Sequence, residues 1–541
     1  MLTGCGQPGE QPSEETTQPR EETPVVTPGE PEKGGWLIQR LQAEPGTLNP
    51  ITGTDAYESL VNSTMMESLI ERDPRTLEYK PLLAESWEIS EDKLVYTFHL
   101  RQGIKWHTGD PFTAEDIIYS YNLLKDPAVN APHLRGYYKD LEKVEALDDY
   151  TVRFTFSTLY YLSFEIAGSL PIVPKAVFDT AEDFNNHPAG RSPVGTGPYR
   201  FKEWRTGSEI VVERNPDYWG EAIGRTAYVD QIVFRIAPDE NAALQQLKAG
   251  QIDMMTRFLP EQWVNQLNSA KVRKNFNKFD FYVPQYSYIG YNSERPFFAD
   301  KRCRRAMTQL LDRKQFIEEV LYGLAHIVTG NLFFQSPYYN SEIEPWPYDP
   351  EQAKQLLDEA GWTDHDGDGI RDKDGVDFDF TFMIPAASSN GEKIAVLMKE
   401  NLSKVGIRMQ IKKLEWALFI ERVQERNFDV VTMAWSMPWT VDLYQIWHSD
   451  SIGGSNYVSF SHEEADDIII QLRKTFDEQE RIQLCHRFHE IVHEEQPYTF
   501  LWCSAELMAV DKRFRDVETF PIRPGYDVFE WWVPKTEQVY P

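Results

Sequence analysis

Phe378-Asp379-Phe380-Thr381-Phe382-Met383-Ile384 opens the segment from which the fold is read. Phe378, Phe380 and Phe382 alternate with other residues at the period of two that a strand requires. A helical pattern follows over 391–405 and Gly406 closes it, after which Ile407, Met409 and Ile411 alternate as a second strand. A helix over 416–424 and a strand over 430–435 complete the segment. The same grammar recurs earlier: strand 229–236, helix 240–249, Gly250, strand 252–255. Strands alternating with helices predict parallel sheets with right-handed crossovers. Two such regions predict an α/β protein of two lobes.

Outside these units the local signals are equally definite. Asp349 is placed to cap a helix with Pro350 at its first position and Gln352 completing a capping box. Ala353, Leu356, Leu357 and Ala360 form its apolar stripe, and Gly361 ends it. Leu94, Tyr96, Phe98 and Leu100, then Tyr150, Val152, Phe154 and Phe156, alternate as half-buried antiparallel strands. The hairpin-rich stretch of about 76–192 is therefore expected to be a subdomain appended to the first lobe.

The 541 residues exceed what one hydrophobic core needs. With 85 acidic and 55 basic side chains the formal net charge is −30, which repels phosphate backbones and argues against nucleic-acid binding. The sequence has no run of about 18 apolar residues to span a bilayer. Four cysteines are too few for a disulfide scaffold; beyond Cys5, the odd trio Cys303, Cys485 and Cys503 leaves at least one free thiol, and spacing does not pair the others.

Residues 1–35 read as a tether. Met1-Leu2-Thr3-Gly4-Cys5 precedes a polar run, rich in Pro and Glu, whose composition predicts disorder. Leu2-Thr3-Gly4-Cys5 resembles the lipobox of bacterial lipoproteins, which implies lipidation at Cys5, with the membrane touched only through that anchor. The basic and apolar regions of a signal peptide do not stand before Leu2, so the resemblance rests on these four residues and the linker behind them.

Ligands of open α/β sheets sit beyond the carboxyl ends of the strands. In the second lobe those ends supply three indoles, Trp416, Trp435 and Trp439, with Met437, the carboxylate of Asp442, and a helix start bearing Ser388, Ser389 and Asn390. Indole faces make adaptable apolar walls, and free helix N–H groups attract acceptors. Three indoles at consecutive strand ends favour a pocket wall over a core.

Further segments carry a family resemblance. Ala43-Glu44-Pro45-Gly46-Thr47-Leu48-Asn49-Pro50, Pro81-Leu82-Leu83-Ala84-Glu85-Ser86-Trp87, Trp106-His107-Thr108-Gly109, Gly195-Thr196-Gly197-Pro198-Tyr199, Asn215-Pro216-Asp217-Tyr218-Trp219 and Gly250-Gln251-Ile252-Asp253 occur in that order. The run to Trp362 through Asp300, Arg304 and Asp312-Arg313 completes it. The chain resembles the bacterial extracellular solute-binding proteins of the peptide/nickel class, family 5.

That resemblance implies a periplasmic-binding-protein-like fold. Lobe I would be 36–285 plus 503–541 with its extra subdomain, lobe II 286–502, and hinge crossovers would lie near 283–291 and 496–503. It also implies a monomeric, extracytoplasmic receptor without cofactor that closes on its ligand, docks on an ABC permease and catalyses nothing. The loop after Asn49-Pro50, with Thr52, Gly53 and Thr54, would contribute from the first lobe. In peptide-binding members the last strand runs into Trp-x-x-Asp, whose aspartate pairs with the peptide ammonium. Here Trp435 is followed at that spacing by Pro438, and Asp442 is the nearest replacement. Oligopeptide is the first expectation; an oligosaccharide or a nickel chelate is the alternative.

Two motifs point elsewhere. His489-Glu490-Ile491-Val492-His493 satisfies the H-E-x-x-H pattern of zinc proteases, but Leu484, Phe488 and Ile491 occupy the apolar face, so the histidines are expected at the surface or edge. Asp364, Asp366, Asp368 and Asp372 resemble the start of an EF-hand loop, yet Ile370 falls one place early and Gly375 stands where a bidentate glutamate belongs. A solvated turn is expected, with structural calcium the alternative.

Overall fold

The computed structural model describes residues 29–179 and 182–540. The deciding segment folds around Asp379–Pro385, which pairs in parallel with Arg408–Leu414 on one side and Val430–Ser436 on the other. Helices Ser389–Ser403 and Trp416–Gln424 make the crossovers. The first of these buries Ile394, Ala395, Met398 and Leu402 along one stripe against Phe380, Phe382 and Ile384 of the strand. Each such side chain contributes about 1.5–3 kcal/mol when fully removed from water. The earlier unit is present as Gln231–Ile236, Glu240–Lys248 and Met254–Thr256, with Trp36–Leu41 inserted between its two strands and parallel to both.

Neither sheet is parallel throughout, as the alternation of strands and helices had implied. The first has seven strands and the second six, and each joins antiparallel strands to a parallel trio, central in the first sheet and at one edge of the second. The reason is the way the chain passes between them. Phe276–Phe281 ends in the first sheet and Gln285–Tyr291 begins in the second, so residues 282–284 form one crossover. Tyr498–Ser504 ends in the second and Glu506–Asp511 begins in the first, leaving Ala505 as the other. A chain that leaves and returns through adjacent crossings must run in opposite directions on the two passages. Phe276–Phe281 and Glu506–Asp511 are accordingly antiparallel neighbours, as are Gln285–Tyr291 and Tyr498–Ser504. The segments 283–291 and 496–503 are thus mostly strand, and the linking pieces are shorter than expected.

A third, wholly antiparallel sheet of four strands runs in the order Ala84–Ile89, Val95–Leu100, Thr151–Phe156, Leu141–Asp148. Tyr96, Phe98, Val152, Phe154 and Phe156 face one core, as their alternation requires. The Gly195-Thr196-Gly197-Pro198 motif fixes a close approach: a Cβ on Gly195 would lie 1.9 Å from the carbonyl oxygen of Met65. Gly197 N donates to that same oxygen at 2.9 Å.

The tether prediction is corrected at its inner end. Gly34 N donates to Tyr228 O, Gly35 O accepts from Asp230 N, and the Glu32 carboxylate accepts from Lys535 N, so 32–35 lie against the first lobe just ahead of the strand Trp36–Leu41. Cys5 lies outside the described residues. Cys303, Cys485 and Cys503 are all buried and free, and burial pushes each thiol up to about 12. Among the described residues no helix is long and apolar enough to cross a membrane.

Candidate ligand-binding cleft

Val430–Ser436 pairs with Gln285–Tyr291 so that Ser436 stands opposite Gln285, beside the first crossover. The loop that follows is therefore delivered to the junction of the lobes, where Met437 N donates to Pro284 O at 3.0 Å. Trp435 is half-buried and stacks on Tyr457 at 5.9 Å; Trp439 meets Phe333 edge-on at 5.9 Å. Phe333 contacts Phe334, which packs on Tyr282 within the crossover itself. Trp435, Met437 and Trp439 all pack on the same core of the second lobe, and Trp439 connects through Phe333 and Phe334 to the crossover.

The other expected residues divide. Trp416 is 60% exposed and stacks on Phe419, one helical turn along. Ser388 caps the helix Ser389–Ser403 by accepting from Gly391 N, while Ser389 and Asn390 are exposed. Gly53 N donates to Asn49 O and Thr52 N to Asn49 Oδ1, while Thr54 is exposed. This loop leads into the helix Ala56–Asn62, and Glu58 of that helix lies under Gly53, its carboxyl pushed up to about 7 by burial and by Asp55.

Asp442 is already engaged. Its carboxylate accepts from Tyr160 Oη at 2.6 Å and from Tyr444 N at 3.0 Å, with Arg473 Nε at 3.6 Å. Tyr161 reinforces the contact through its hydroxyl to Val441 O and its N–H to Arg473 O. The appended subdomain therefore reaches across to the second lobe at the very carboxylate read as a ligand group, and Arg473 already balances that charge.

The first sheet has a cavity at its own strand ends. A cavity of about 490 Å³ opens beyond the carboxyl ends of Trp36–Leu41 and Met254–Thr256. Tyr57 and Leu60 of the helix Ala56–Asn62 form one wall, and Arg523 and Tyr526 form another. Phe281 and Glu506, the residues flanking the two crossovers, close the side toward the second lobe. Arg523 Nη2 lies 3.3 Å from Gln285 Oε1, and Glu506 accepts from Gln285 Nε2 at 3.2 Å, so the first strand of the second sheet touches this cavity's rim.

Residues 78–457 match the family described as bacterial extracellular solute-binding proteins, family 5 Middle. The chain belongs to this family. Oligopeptide-binding protein AppA of Bacillus subtilis is 32% identical over 529 residues, 94% of this chain and 93% of that one. Heme-binding protein A of Haemophilus influenzae is 30% identical, with 85% of each chain covered. The solved complex of Bacillus subtilis AppA with a nonapeptide superposes with a TM-score of 0.78 at 30% identity, covering 93% of this chain and all (100%) of that one.

Two other motifs of this solute-binding protein are accounted for by local packing. His489 is completely buried, which corrects the surface position expected of it; its helix Glu478–Glu495 packs beneath 329–340, a segment that periodicity within the helix does not reveal. Its Nε2 is 2.9 Å from Thr329 Oγ1, its Nδ1 accepts from Asn340 N, and burial depresses it to about 3. His493 stacks on Trp346 at 5.0 Å and is lowered to about 4 by burial, while Glu490 pairs with Arg487. Each member of the H-E-x-x-H motif is held by a protein partner. Asp364, Asp366 and Asp372 bring carboxylate oxygens within 4.8 Å of one another, and Asp368 stays outside that group. Their oxygens accept turn N–H groups: Gly367 and Gly369 on Asp364, Asp368 on Asp366, and His365 on Asp372.

Proposed function

We propose that this protein is the substrate-binding receptor of an ABC importer, capturing oligopeptides between its two lobes and delivering them chemically unchanged to a membrane permease. The observation that carries this reading is the 32% identity to an oligopeptide-binding protein along 94% of the chain, together with the fold shared with its nonapeptide complex. The cavity's place supports it. Phe281 and Glu506 line it and flank the crossovers at 282–284 and 505, so rotation of one lobe about those short links changes its mouth directly. Ligand then shifts the population toward the closed form by the difference in its affinity for the two. Lobe I comprises 36–281 and 506–541 and lobe II 285–504 in this reading, and lipidation at Cys5 holds the receptor outside the cytoplasmic membrane.

Native mass spectrometry of the protein as purified, followed by gentle dissociation, tests the reading. A series of bound masses that fragment as peptides is expected. A hexose ladder, haem or a nickel chelate in their place refutes the peptide assignment and leaves the receptor fold. Turnover of a peptide, abolished by a chelator, refutes the receptor itself.

A further inference from the structure

We propose that the first-lobe cavity is an anion pocket in which Arg40, Arg257 and Arg523 receive a carboxylate of the bound peptide. This inference rests on the peptide-receptor reading and adds the chemistry of one subsite to it.

The charge at this point runs against the rest of the molecule. The chain carries a formal −30, yet the cavity is lined by three arginines and a single carboxylate, Glu506. Glu506 already accepts from Gln285 Nε2, and the nearest other acids, Asp239 and Glu240, lie beside Arg40. Arg257 has no ion-pair partner among the described residues, and its backbone is held at φ +57° where the strand Met254–Thr256 ends. Among the described residues Arg523 makes only long hydrogen bonds, 3.5 Å to Pro284 O and 3.3 Å to Gln285 Oε1, with Glu506 close enough to act on it electrostatically without an ion pair.

Arg40 supplies the independent sign that something is meant to bind. It is only 5% exposed, and its Nε and Nη2 donate to Ala237 O at 2.9 Å and Pro238 O at 3.1 Å. Those two bonds fix the guanidinium rigidly at the cavity wall. Its Nη1 is buried and has no partner. A buried guanidinium with an unmet N–H is costly, and an anion held in the adjoining cavity offsets that cost by Coulomb attraction to the guanidinium. Burial lowers both Arg40 and Arg523 from their ordinary values, so the cavity holds cationic groups at a disadvantage that an anion relieves. Leu41, Leu60, Phe281 and Pro524 supply the apolar surface around this charge. The arrangement fits a carboxylate carried on a hydrophobic or backbone stem better than a free, fully hydrated inorganic anion.

Two peptide groups have this chemistry, the C-terminal carboxylate and the side chain of Asp or Glu. Calorimetric titration distinguishes them with four probes of one length: Ala-Ala-Phe-Ala-Ala as free acid and as C-terminal amide, and Ala-Ala-Phe-Glu-Ala-amide beside its Gln analogue. The expected result is a preference of about ten- to a hundredfold for the carboxylate member of one pair. That preference disappears in Arg257→Met and Arg523→Met and returns in Arg257→Lys, while the neutral member of the pair binds wild type and variants alike. Unliganded melting temperatures identify any variant that has failed to fold, and Arg257 carries the test because it makes no ion pair that folding requires. Equal affinity within both pairs refutes the anion pocket alone. Failure of all four probes and of the peptides recovered with the native protein to bind wild type refutes the peptide reading and the pocket with it.

Discussion

Replacing Tyr160 by phenylalanine removes one hydroxyl and keeps the ring that Arg473 covers at 4.3 Å. The deleted bond is short, 2.6 Å to Asp442 Oδ2, and burial together with Asp442 holds the phenol well above its ordinary range, so it is the donor at any working pH. A neutral donor to an ionised acceptor contributes about 1.5–3 kcal/mol. The low end applies because Asp442 keeps Tyr444 N and the Arg473 guanidinium and is only partly buried. A loss of about 1.5 kcal/mol is roughly tenfold in an equilibrium constant. Because the bond joins the appended subdomain to the second lobe, that factor falls on the balance between closed and open forms. Ligand should bind Tyr160→Phe about tenfold more weakly, mainly through faster dissociation, and small-angle scattering should give the ligand-free variant a larger radius of gyration than wild type. Asp442→Asn should produce the same change, and the double variant should be far from additive. Dissociation rates and radii equal to wild type in both single variants would refute the idea that this contact holds the lobes together.

Three shorter predictions follow from other parts of the fold. His489 is depressed to about 3 in the folded protein against an ordinary value near 6.5, so only the unfolded chain takes up its proton between those limits and stability falls as the pH drops below about 6.5. At pH 5 this amounts to about 2 kcal/mol, and urea titrations of His489→Gln at pH 7.5 and 5 should show that much less loss between the two than wild type. Gly195→Ala should destabilise by about 2 kcal/mol or more, read as a lower urea midpoint, since its Cβ would meet the Met65 carbonyl at 1.9 Å. EGTA in low-calcium buffer should leave the melting temperature unchanged, because the oxygens of Asp364, Asp366 and Asp372 already serve turn N–H groups; a fall of several degrees would make the turn a calcium site.

Local pattern alone determined the strand-helix-strand units around 231–256 and 379–436, the cap at Asp349, the alternating strands of the appended sheet and, through the order of short motifs, the family. These depend on side-chain period, capping chemistry and turn residues within a few positions of one another, which is the range a linear text records. Gly195 stood out as a motif, but its reason, the carbonyl of Met65, lay 130 positions away. Tertiary structure alone decided that the sheets are mixed, because strand direction is set by two adjacent passages between lobes. It alone buried His489 under a segment 160 residues distant, and it alone joined Asp442 to Tyr160, 282 residues apart. Arg40, Arg257 and Arg523 stand in no motif of the sequence. Only the packing of strand ends against a C-terminal loop placed them around one cavity, since burial and charge balance belong to neighbours in space and a chain fixes those only once its apolar faces have closed on each other.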